Sequence, residues 1–115
     1  MNSQLEWAKT YLKHKDIFKK EIDKFENKND LIIIHKKTVK ECIITTESKK
    51  LSEICTLAEK FDKYDKIWVI AKNNDDTIKD LFDLWPKLAN LEKLRIIFLD
   101  LKNNKHWSLH PHTHS

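Results

Sequence analysis

Glycine is absent from all 115 residues of the chain, and a backbone with a Cβ at every position does not form the loops that wrap closely around phosphate or need φ > 0. Walker-A loops, dinucleotide fingerprints and nucleophile elbows are thereby excluded. Arginine is almost as scarce. Arg95 is the one arginine among 22 basic residues, so bidentate recognition of phosphate or guanine is confined to one place, and lysine must supply any other contact. The two cysteines, Cys42 and Cys55, fall at apolar positions of a predicted strand and a predicted helix. With no C-x₂₋₄-C pair, they read as buried thiols rather than as a zinc site, a catalytic nucleophile or a disulfide. No apolar run approaches the roughly 20 residues that span a bilayer, and the start, MNSQLEWAKTYLKHK, has no apolar leader core. The expectation is a cytoplasmic protein without a membrane partner.

What is present suits one folded domain. Hydrophobic residues at 40% and charged residues at 35% provide enough apolar surface to offset chain ordering, and the length allows a single core. The net charge of +4 arises from lysines interspersed with 18 acids, a mixture that by itself describes a solvated surface.

Apolar spacing predicts the elements. Trp7, Tyr11, Phe18, Ile22 and Phe25 recur at steps of four, seven, four and three, which places them on one stripe of a long leading helix with Ser3 and Glu6 as a capping box. Strands are expected over 31–35 and 39–45 around a turn at Lys36, Lys37 and Thr38. A second helix, capped by Ser48, buries Leu51, Ile54, Cys55, Ala58 and Phe61. A third strand covers 66–72. A third helix, capped by Asp75 or Asp76, buries Ile78, Leu81, Phe82 and Trp85 and is kinked or ended by Pro86; the last strand covers 94–99. The expected fold is α/β: one three-layer domain over 1–105 with a mixed sheet of about four strands in the order α-β-β-α-β-α-β, followed by a His-rich tail over 106–115.

The segment DLIIIHKKTVKECIITTESKK, which opens with Asp30, resembles the core of restriction-endonuclease-like nucleases, among them archaeal Holliday-junction resolvases. In that family an Asp at the start of one strand and a Glu-x-Lys near the end of the next bind Mg²⁺ and position a water. The resemblance covers about 3–72. It implies Asp30 as the central Mg²⁺ ligand, Glu47 as a displaced second carboxylate and Lys49 or Lys50 as the group that orients water, with Glu21 or Glu26 as the acid of the leading helix. Thr45-Thr46-Glu47 stands where the Glu-x-Lys belongs, which implies a catalytically degenerate site. Asp30 after Asn29 is equally a turn residue, and Glu47 with Ser48 a helix start.

Two further groups carry chemistry. Lys36, Lys37 and Lys40 surround the strand turn, where they can contact DNA or RNA phosphates or guard an edge strand. His110, His112 and His114 alternate in the tail, a spacing that turns imidazoles to one side of an extended chain and suits Zn²⁺; a frayed polar terminus is the plainer reading. The expectation is a nucleic-acid-associated protein that, if an enzyme, is a divalent-metal-dependent nuclease. The alternative is a non-enzymatic interaction module with a protein partner or a second copy, prompted by four tryptophans in a small chain.

Overall fold

The computed structural model describes residues 3–28, 31–46, 50–61, 64–103 and 105–111. It is α/β with one mixed sheet. The elements are α1 (Ser3–Lys15), β1 (Ile22–Lys28), β2 (Leu31–Lys36), β3 (Lys40–Thr45), α2 (Leu51–Lys60), β4 (Lys66–Lys72), α3 (Asp75–Asp83), α4 (Trp85–Leu88), β5 (Leu94–Asp100) and β6 (Lys105–Leu109). The six strands lie in the spatial order β1-β2-β3-β4-β5-β6, with β3, β4 and β5 parallel and the outer pairings antiparallel. The four strands expected from sequence are all present as β2, β3, β4 and β5. The count of four and the element order are corrected by the two edge strands, β1 and β6.

The first correction has a cause in strand geometry. β1 carries a bulge between Ile22 and Lys24, and the extra residue turns Ile22 and Phe25 onto the same face, where both pack against the α1 cluster. A bulged strand therefore reproduces the three-residue step of a helix. The leading helix in fact stops at Lys15, which places Glu21 before β1 and Glu26 within it rather than late in a helix, and leaves Phe18 exposed rather than on a buried stripe. With no glycine available to reverse the chain, Lys20 takes the left-handed conformation at φ 52°. The Asp16 carboxylate accepts the backbone N–H groups of Glu21 at 3.0 Å and Ile22 at 2.8 Å, which fixes the turn.

Each face of the sheet is covered by helix. On one face Ala8 and Leu12 of α1 meet Ile32, Ile34, Ile43, Ile70, Ile97 and Leu99. On the other, α2, α3 and α4 contribute Leu51, Ile54, Cys55, Ala58, Leu81 and Leu88, packed on Cys42, Ile44, Val69, Ile96 and Phe98. Central strands buried on both faces account for the nearly unbroken apolar runs of β4 and β5. β6 adds to β5 by stacking Trp107 on Phe98 at 4.2 Å between ring centres, while His106 on the opposite face meets Trp7 and Tyr11.

Helix ends depart from expectation in detail. Asn74, not Asp75 or Asp76, caps α3 by accepting the Thr77 N–H at 2.9 Å. Lys50 stands at the start of α2 without a side-chain cap, and Ser48 lies outside the described residues. Phe82 is 69% exposed instead of buried beside Leu81. α3 ends at Asp83, and Pro86 falls in the first turn of α4, where its missing N–H costs no helical bond. Among the described residues no helix is long and apolar enough to cross a membrane.

Candidate functional site

A concentration of charged side chains lies at the end of the sheet where β4 and β5 begin. Three backbone bonds lock the connections there together: Lys37 N–H to Glu21 O at 3.0 Å, Asp65 N–H to Lys40 O at 2.7 Å and Ile67 N–H to Lys93 O at 2.9 Å. A main chain held this way needs little ordering when a ligand arrives. Lys36, Lys37, Lys40 and Lys93 line one open depression of about 520 Å³. Lys36 also lines the adjoining cleft of about 390 Å³, together with Lys15, Lys19 and Lys66. Seven lysines thus meet four acids, Asp16, Glu21, Glu41 and Asp65, a local excess of three in a chain whose whole net charge is +4.

Two of those acids are already engaged. Glu41 points inward from β3 and is only 2% exposed; its carboxylate takes the Lys36 Nζ at 2.9 Å and the Trp68 Nε1–H at 2.8 Å. A buried carboxylate persists only with such partners, because desolvation penalises an unpaired charge. The Asp16 carboxyl is held below the usual carboxylate range, first by the Ile22 N–H and further by the Glu21 N–H and the positive charges of Lys36 and Lys19. These acids offset Lys36 and Lys19, while Lys37 and Lys40 remain exposed.

Arg95 faces the same end but is committed to its own chain. Its Nη1 donates to Glu92 O at 2.8 Å, to Leu94 O at 3.1 Å and to His110 Nε2 at 2.7 Å. Burial pulls its pKa below the ordinary value, against the opposing charges of Glu41 and Asp65. His110 Nε2 also lies 3.0 Å from Glu92 O, so the imidazole, the guanidinium and this carbonyl form one closed cluster.

The structure therefore brings Lys36, Lys37 and Lys40 together. Asp30, Glu47 and Lys49 lie outside the described residues, as do His112 and His114. Leu31 and Thr46, the described residues that adjoin Asp30 and Glu47 in sequence, stand at the opposite end of β2 and β3 from the lysine turn, since Leu31 pairs with Ile44 and His35 with Lys40. The length of β2 puts these two ends roughly 17 Å apart. Glu26, no longer on a helix, bonds His35 Nε2 at 2.8 Å. Among the described residues no group of three or more His, Cys, Asp or Glu is placed to hold a metal ion.

Burial pushes the Cys42 thiol up to about 12, with Glu41 adding to it, and the Cys55 thiol up to about 11. Both cysteines are free and buried, as their positions in the sequence suggested. Sequence reasoning missed Glu41, Trp68, Lys19, Lys66 and Lys93. Glu41 carried a legible signal, a lone acid on the inward side of an apolar strand, whereas the other four become neighbours only through strand register. No family model matches the chain, and neither a curated protein nor a solved structure matches it.

Proposed function

We propose that the chain binds nucleic acid through the lysine-lined end of its sheet, as a relative of restriction-endonuclease-like proteins with a degenerate catalytic site. The observation that carries this reading is the gathering of Lys36, Lys37, Lys40 and Lys93 around one depression, joined through Lys36 to Lys15, Lys19 and Lys66. Phosphate contacts made by lysines provide affinity and position the chain on its ligand without reading sequence. Within this reading Asp30 would hold Mg²⁺ with Glu47, and Lys49 would orient water.

Labelled duplex, branched and single-stranded DNA, offered with Mg²⁺ or Mn²⁺ to the native chain and to Asp30→Ala, tests both halves. Salt-sensitive binding without cleavage is the expected outcome. Cleavage lost in Asp30→Ala would replace the degenerate site with an active one, and the absence of binding to every substrate would end the proposal.

A second reading rests on a separate feature. β6 is an edge strand exposed over four of its five residues, and it carries the 41% exposed Trp107. An open edge of this kind accepts a further strand from a protein partner or a second copy. Sedimentation showing a monomer at all concentrations, with Trp107 fluorescence unchanged by dilution, would count against self-association there.

A further inference from the structure

We propose that the turn between α1 and β1 presents Phe18 as a stacking platform for an unpaired base, so that the chain's nucleic-acid ligand is single-stranded. This rests on the reading just given and adds to it a class of substrate and a residue that recognises it. Phe18 is 95% exposed and Ile17 54% exposed, although α1 and the sheet bury other large apolar side chains nearby. An exposed ring on a loose segment would carry no argument, but this turn is fastened on every side. Asp16 O accepts the Lys20 N–H at 2.8 Å, the Asp16 carboxylate accepts two more N–H groups, and Glu21 O ties the turn to Lys37. Lys20 is held at φ 52°, a conformation disfavoured for any residue with a Cβ, and strain retained by a rigid frame is a mark of a functional segment.

Charge decides the occupant. Lys15 and Lys19, on either side of the ring in sequence, line the cleft that Lys36 and Lys66 also line, with Asp16, Glu21 and Glu41 offsetting three of the four charges there and the exposed Lys37 and Lys40 extending the basic side beyond it. Single strands are bound without sequence preference by an exposed aromatic ring together with a basic groove, and Phe18, outside the cleft lining itself, directly precedes Lys19 of that lining. A duplex has its bases already stacked on one another and offers the ring no face. A flat anionic lipid surface would engage the two apolar side chains but would not follow lysines into a concave cleft.

Fluorescence anisotropy with a labelled twelve-residue oligothymidine and a twelve-base-pair duplex tests this on the full chain, with Phe18→Ala, Phe18→Trp and vesicles containing phosphatidylserine. The proposal expects Phe18→Ala to lose about tenfold in single-strand affinity with an unchanged salt slope. It expects duplex binding to be unaffected, and Phe18→Trp to keep affinity while its added fluorescence is quenched by the oligonucleotide. Single-strand binding that survives Phe18→Ala, or a native preference for duplex, overturns the stacking role while leaving nucleic-acid binding intact. Vesicle binding lost in Phe18→Ala without any change in oligonucleotide binding assigns the turn to a membrane surface and overturns it too. No oligonucleotide binding by the native chain removes the underlying reading as well.

Discussion

Glu41 links the core to the charged end of the sheet. Its carboxylate is the partner of both the Lys36 Nζ and the Trp68 Nε1–H, so truncation leaves the indole donor unpaired and the mostly buried ammonium with only the more distant Glu21 carboxylate at 4.0 Å. Glu41→Ala should lower stability in urea by about 3 kcal/mol, whereas Glu41→Gln, which keeps an acceptor for Trp68, should cost less. Equal losses in the two variants would mean that the charge pair contributes nothing beyond the indole bond. Cys42 and Cys55 allow a second check. With the thiols pushed up to about 12 and about 11 by burial, neither supplies thiolate at pH 8, and the native chain should stay unreactive to a disulfide reagent that labels the urea-unfolded chain promptly.

At the scale of elements the turn from α1 to β1 is the most informative. Replacing the left-handed Lys20 by glycine removes the Cβ penalty while adding freedom to the unfolded chain; the balance predicts a gain of about 0.5 kcal/mol in thermal or urea unfolding. Asp16 gives the turn a pH dependence. Its folded pKa is lowered, so its contribution is fully present above the unfolded value of 3.8 and is lost as pH falls through the folded one. Asp16→Asn should therefore be less stable than the native chain at pH 7, and the gap should close below pH 3.8.

The same region shows where sequence reasoning stopped. β2, β3, β4 and β5 were legible to within one residue at each end, because strands buried on both faces read as continuous apolar runs. β1 was not, since its bulge brings Ile22 and Phe25 to one face at a step that also fits a helix. β6 left a weaker trace in the alternation of Trp107 and Leu109, set among histidines that suggested a polar tail. Lys36, Lys37 and Lys40 were legible as a group because they flank one turn; Lys66 and Lys93 join them only once parallel β4 and β5 start beside that turn, and Lys19 only through the pairing of β1 with β2.

Across the whole molecule charge is divided unevenly. Seven lysines line the two joined clefts at one end of the sheet, and four acids, two of them bonded internally, offset them only in part. The residues lining the two clefts carry a local excess of three positive charges. If that surface binds phosphates, binding must weaken as salt rises. A labelled single-stranded oligonucleotide should be titrated between 50 and 200 mM salt, as general working conditions for phosphate contacts, with the native chain and with the double variant Lys37→Glu, Lys40→Glu. The account predicts affinity that falls linearly with salt on logarithmic axes, and a double variant that binds more weakly with a slope shallower by about 1.4. Binding indifferent to salt, or unchanged by reversing both charges, would contradict it.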